Sequence, residues 1–202
     1  MFSKDEFFKF NKEWITKCIP KLKQGGSLWI CGSFHNIYQI GFIIQNFTDL
    51  KLNNSIIWFK PNAQPNITRR FFTESTEQLI WASKNGKKKW TFNYDLMRKM
   101  NNGKQMRNLW SIPLTPKSEK WAGIHPTQKP IELLRRIILA CTKEGDTIMD
   151  PFAGSGTTLV VAKMLNRNYI GIEKEKKYEK IILKRLNFPQ KKLSEFSKIE
   201  II

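Results

Sequence analysis

Histidine, cysteine and acidic residues are all scarce in this 202-residue chain, which holds two His, three Cys and 17 Asp+Glu against 35 Lys+Arg. Cys18, Cys31 and Cys141 are too few and too scattered for a disulfide framework or a zinc site. Set among apolar neighbours, they read as reduced core thiols of a cytoplasmic protein, and no metal is expected. No apolar run approaches the roughly 20 residues that cross a bilayer. The opening MFSKDEFFKF is too charged and aromatic for a signal peptide. Internal repeats and low-complexity tracts are also missing.

The deficit of acid leaves a net charge of +18 and a pI of about 9.9. Such an imbalance favours a polyanionic partner, because each phosphate neutralised releases condensed counterions. A lysine-rich coding bias gives the same balance, and the abundant Asn and Ile fit that reading too. A membrane surface is disfavoured, since no basic amphipathic helix with a strong apolar face stands out. Hydrophobic residues make up 41% of the chain, enough for the core of one domain spanning 1–202.

Apolar periodicity predicts a helix from Asp5 to about Leu22, stopped by Gly25-Gly26, then a buried strand at 27–31. A helix at 36–47 and a strand at 55–60 follow. Between Pro61 and Pro126 short β-like pieces (78–82, 90–94, 109–112) lie among Pro, Asn, Lys and Arg, which reads as an irregular basic insert over 61–124. Beyond Pro130 the pattern is regular again: helix 131–141, strand 147–150, helix 157–165, strand 168–172, helix 174–186, and a polar tail over 187–202. Strands alternating with helices predict an α/β fold with a mostly parallel, doubly wound, Rossmann-like sheet and helices on both faces.

The densest signal is Asp150-Pro-Phe-Ala-Gly-Ser-Gly-Thr-Thr158, at a strand-to-helix junction. Gly154 and Gly156 let a ligand approach the backbone closely. About twenty residues on, the strand Asn168-Tyr-Ile-Gly-Ile-Glu173 ends in a carboxylate, where ribose hydroxyls of an adenine nucleotide are gripped. A phosphate-binding P-loop would carry Lys after its last Gly, and Thr157 stands there. A dinucleotide site would carry a third Gly where Leu159 stands. A nucleoside cofactor without a pyrophosphate remains.

These residues carry a family resemblance. Asp150–Thr158 resembles the S-adenosylmethionine motif of amino-methylating DNA methyltransferases. His125-Pro-Thr-Gln-Lys-Pro130 resembles the segment preceding that motif in the beta group, whose order is catalytic region, target recognition, cofactor region. Trp29–Asn36, Ile57–Asn66 and Phe72–Lys84 extend the likeness over nearly the whole chain, and the adenine-N6 enzymes of restriction–modification systems are the most similar. The resemblance implies an S-adenosylmethionine-binding part at 125–186. Asp150 and Phe152 would line the cleft, Gly154, Ser155 and Gly156 would lie near the methionine end, and Glu173 would accept from the ribose. His125, Gln128 and Lys129 would approach the methionine carboxylate, where a cation makes physical sense. The competing readings are a capping histidine at 125 and a solvated amine at 129.

The family's Asp/Asn-Pro-Pro-Tyr/Phe tetrapeptide, which holds the target amino group and stacks on the extruded base, is absent from this sequence. The resemblance places it before the first helix, with a central strand. The expectation is therefore a chain truncated at its N-terminus, lacking that catalytic strand, with no assignable catalytic residue and little turnover alone. An upstream fragment would supply the motif; the alternative is a non-catalytic DNA- or cofactor-binding partner of an intact enzyme. Within the insert, Arg69, Arg70, Lys104 and Arg107, with Lys87–Lys89, Arg98, Lys99, Lys117 and Lys120, are expected to meet phosphates of duplex DNA. Asn62, Gln64, Asn66, Asn101, Asn102 and Gln105 could read base edges. The alternation of Trp90, Phe92 and Tyr94 reads as one packed strand face, and a homodimer is a further expectation from the family.

Overall fold

The computed structural model describes residues 3–84, 86 and 89–188; Lys87, Lys88 and the tail beyond Phe188 lie outside the described residues. The chain divides into two compact units between Ser111 and Ile112.

In the first unit, helix α1 (Lys4–Cys18) is started by a reciprocal cap: the Glu6 N–H donates to Ser3 Oγ at 3.2 Å, and the Ser3 N–H to Glu6 Oε2 at 2.7 Å. A 3-10 turn carrying Pro20 ends it, and β1 (Ser27–Gly32) follows. In α2 (Ile37–Phe47) the spacing of Ile37, Ile40, Ile43 and Ile44 gathers four isoleucines on one face. They pack with Ile15 of α1 and Ile30 of β1, and with residues of two further strands, β2 (Leu50–Phe59) and β3 (Thr76–Lys84). The opposite face of the sheet is aromatic. Trp29 and Trp81 are cross-strand partners, stacked at 5.3 Å with rings 6° from parallel. Helix α3 (Tyr94–Met100) and the short β4 (Leu109–Ser111) complete the unit.

The strand order is β1-β3-β2-β4. Here the expectation of a mostly parallel sheet is corrected. β1 and β2 run the same way, joined by α2, but β3 inserts between them antiparallel to both, and within this sheet β2 and β4 form the one parallel pair among the described residues. The physical reason lies in the connection from 60 to 75, which forms no helix and so returns β3 without the crossover that parallel pairing requires. β3 also shows that the basic stretch at 61–124 is not irregular throughout: its residues 79–83 are buried at the centre of the sheet.

Two local expectations differ as well. β2 starts five residues earlier than its apolar pattern suggested, because Lys51, Asn53 and Asn54 mask a strand that bulges between Leu52 and Asn54. Residues 90–93 form no strand. Phe92 instead lies 5.5 Å from Trp81, so the aromatic alternation reflects packing on that ring, just ahead of the unforeseen α3.

The second unit holds α4 (Ile131–Cys141), β5 (Thr147–Asp150), α5 (Thr157–Met164), β6 (Asn168–Gly171) and α6 (Lys176–Leu186). β5 and β6 pair in parallel, with α5 as their crossover. Ile131 and Ile138 of α4 meet Val160 and Val161 of α5, while Leu159 on another side of α5 meets Ile182 of α6. These elements match the α/β alternation read from the sequence. Among the described residues, β1 and β5 each pair with a single neighbouring strand.

Candidate functional site

The parallel register that sets Asp150 opposite Gly171 brings the ends of β5 and β6 side by side, so two carboxylates, Asp150 and Glu173, stand at one edge. Ligands of open α/β sheets bind at the carboxyl ends of strands for this reason. Asp150 Oδ1 accepts from the Phe152 N–H at 3.0 Å, a local turn that swings the Phe152 ring outward to 53% exposure.

The chain then passes through Gly154 (φ +54°) and Gly156 (φ +75°), both left-handed. At Gly154 an added Cβ would stand 3.1 Å from Nε2 of His125. Glycine thus lets the imidazole lie directly against the loop backbone. At Gly156 an added Cβ would meet Ile182 of α6 at 3.0 Å, so the same residue type also seats the helix start.

Glu173 ties the two strand ends together. Its Oε2 accepts from the Gly154 N–H at 2.7 Å and its Oε1 from the Glu175 N–H at 2.8 Å. A carboxylate offers about four lone-pair directions, so each oxygen keeps one for a hydroxyl. The His125 ring lies 4.3 Å from that of Tyr178 of α6, tilted by 59°, and its Nδ1 accepts from the Thr127 N–H at 3.3 Å. Burial pulls its pKa below the ordinary histidine value, partly offset by Glu173 and reinforced by Lys177 and Lys129.

The structure therefore brings His125, Gly154 and Glu173 together, with Asp150 and Phe152 beside them. Gln128 and Ser155 are placed differently. Gln128 is buried, its Nε2 donating to the Glu119 carbonyl at 2.9 Å, and its Oε1 is buried without a hydrogen-bond partner. Ser155 is buried under the loop against Arg185. Lys129 is half-buried. The basic residues Arg69, Arg70, Lys104 and Arg107 are exposed in the first unit, with Arg69 at φ +55°. Among the described residues no group of three or more His, Cys, Asp or Glu could hold a metal ion, and no helix is long and apolar enough to cross a membrane.

Two residues of this neighbourhood escaped the sequence reading: Arg185 and Glu119. The signal for Arg185 was present, since Tyr178, Ile181, Ile182 and Arg185 share one face of α6. An arginine on an apolar stripe is a buried arginine. Glu119 had no such signal, because it lies in a four-residue 3-10 turn (Lys117–Lys120) between two lysines.

A glycine turn at the tip of a parallel strand, with an acid at the tip of the next, defines the class: an α/β domain for a nucleoside-bearing cofactor. Comparison with known proteins specifies it. The family model described as DNA methylase matches residues 1–184. The Type II methyltransferase M2.DpnII of Streptococcus pneumoniae is 55% identical over 183 residues, covering 90% of this chain and 68% of that protein. M2.LlaDCHI of Lactococcus lactis subsp. cremoris is 53% identical over 184 residues, with 91% and 68% covered. Among solved structures, the M1.HpyAVI–SAM complex superposes with a TM-score of 0.76 at 35% identity, covering 92% of this chain and 86% of that one. The chain belongs to the DNA methylase family.

Proposed function

We propose that this chain binds S-adenosylmethionine at the tips of β5 and β6 and serves methylation of adenine N6 in duplex DNA within a restriction–modification system. The observation that carries the reading is the Glu173 carboxylate, bonded to the Gly154 amide against which His125 lies. The residues fit the cofactor: a left-handed Gly154 where a Cβ would crowd His125 at 3.1 Å, an exposed aromatic ring, and a carboxylate with lone pairs beyond its two loop bonds. In this reading Glu173 accepts from the ribose hydroxyls, Phe152 and Asp150 border the adenosine, and Lys129 and His125 face the methionine carboxylate. The Gly154–Gly156 backbone lines the methionine end. When bound, S-adenosylmethionine supplies an electrophilic methyl on a sulfonium.

The groups that would hold the target amino nitrogen are not in this sequence. In the proposal an Asp/Asn-Pro-Pro-Tyr/Phe segment from outside it completes the site. The absence of the tetrapeptide also favours a second reading, a cofactor- and DNA-binding partner without turnover of its own. The exposed basic side chains of the first unit suit DNA phosphates, the chain is read as cytoplasmic, and a homodimer is compatible with the family likeness.

Calorimetry with S-adenosylmethionine and tritiated-methyl transfer to duplex DNA test this together. The expected result is cofactor binding by the chain, little transfer alone, and transfer on addition of a fragment carrying the tetrapeptide. Binding without transfer even then selects the second reading, and absence of binding overturns both.

A further inference from the structure

Arg185 is the most deeply buried cation of the second unit, 1% exposed. Its Nη1 donates to three oxygens of one loop: the Ser155 carbonyl at 2.9 Å, Ser155 Oγ at 3.1 Å and Thr157 Oγ1 at 2.8 Å. The carbonyl belongs to the residue between the two left-handed glycines, so this bond fixes the peptide on which the turn depends. Nε and Nη2 are buried without a hydrogen-bond partner. The negative charge of Glu119, itself 6% exposed, partly offsets the cost of burying the Arg185 charge, without direct contact.

Glu119 faces the other cofactor segment. Its Oε2 accepts from the Ile131 N–H at 2.9 Å, capping α4 where Pro130 offers no side-chain acceptor. Its carbonyl accepts from Gln128 Nε2 at 2.9 Å, and Thr115 Oγ1 donates to the Gln128 carbonyl at 2.6 Å. Two buried hydrogen-bond sets thus hold the cofactor segments, Arg185 on the loop 155–157 and Glu119 on residues 128–131.

We propose that Arg185 and Glu119 are positioning residues for cofactor binding, Arg185 holding the Ser155–Thr157 loop and Glu119 the Gln128–Ile131 segment, two buried opposite charges that act on each other without direct contact. The inference rests on the reading of that site as the cofactor site. Burying opposite charges is a poor stabiliser: desolvation offsets most of their attraction, and apolar substitutes are often neutral or stabilising. Burial pulls the Arg185 pKa down to about 10 and pushes that of Glu119 up, each partly restored by the other. What apolar side chains would not provide is a buried N–H group, Nη1, aimed at three oxygens of a loop.

The test separates positioning from stability. Arg185→Met leaves Glu119 buried without the nearby positive charge and lowers both melting temperature and S-adenosylmethionine affinity. Arg185→Met with Glu119→Gln removes both charges while keeping an acceptor for the Ile131 N–H. This double variant is expected to regain melting temperature but to bind the cofactor more weakly by on the order of tenfold. Thr157→Val, which deletes one acceptor at constant volume and threatens folding least, is expected to weaken binding about threefold. Unchanged affinity in the double variant or in Thr157→Val, beside an unaltered chain that binds, overturns this inference alone. No binding by the unaltered chain overturns the cofactor-site reading and this inference with it.

Discussion

The Glu173 carboxylate reaches back 19 residues to accept the Gly154 N–H at 2.7 Å, while its other oxygen accepts the Glu175 N–H. The acid that follows β6 is thereby a structural member of the glycine loop as well as the group proposed to accept from a ribose. Its two roles are compatible because a carboxylate accepts more than one bond per oxygen.

Substitution at Glu173 should separate those roles. Glu173→Ala removes both loop bonds and the hydroxyl acceptor, so S-adenosylmethionine affinity should fall by about tenfold or more, with a loss of about 1–3 kcal/mol in unfolding free energy. Glu173→Gln keeps one acceptor and should be milder on both measures. Calorimetry and urea denaturation read the two quantities, and equal affinity in all three chains would remove Glu173 from the cofactor site.

His125 gives the second unit an acid-sensitive point. Burial is the largest cause of its lowered pKa, so the folded protein takes up this proton less readily than the unfolded chain. The stabilisation is complete above the ordinary histidine value of about 6.5 and is lost as pH falls through the lower folded value. Compared with His125→Asn, the unaltered chain should lose melting temperature between about pH 7 and about pH 5. Parallel melting profiles for the two chains would contradict this.

The stacked tryptophans anchor the first unit. Trp81 is buried against Trp29, and its Nε1 donates to Ser27 Oγ at 3.0 Å. Trp81→Ala should lower stability by about 3–5 kcal/mol. Trp81→Phe, which keeps a ring but loses the donor, should cost about 1–2 kcal/mol. Denaturant midpoints rank the variants, and an alanine effect below that of phenylalanine would show that the stack contributes little.

For DNA, Arg69→Ala with Arg70→Ala should weaken duplex binding and reduce the slope of log affinity against log salt by about 2, near 0.9 for each phosphate no longer neutralised. A titration from low to moderate salt reads the slope directly. An unchanged slope takes both arginines off the phosphate backbone.

Much of the second unit was legible because its information is local. The Pro130 boundary, the Asp150–Thr158 turn and the acid closing the β6 run each depend on neighbours within a few residues, where backbone geometry and residue type are directly coupled. The limits of α4 and β5 agree with the periodicity to the residue. The first unit was less legible. Polar Lys51, Asn53 and Asn54 conceal half of β2, and α3 sits in a basic stretch whose periodicity is weak over seven residues.

By itself, the sequence determined the α/β alternation, the glycine turn with its partner acid, the basic balance and the absence of the Asp/Asn-Pro-Pro-Tyr/Phe tetrapeptide. Only the tertiary structure decided the rest. Strand direction at β3 depends on a connection that forms no helix, the Trp29–Trp81 stack on cross-strand register, and the Arg185–Glu119 pair on bringing together residues 66 positions apart. None of these follows from local pattern, because each is fixed by which distant groups burial forces to share one low-dielectric space.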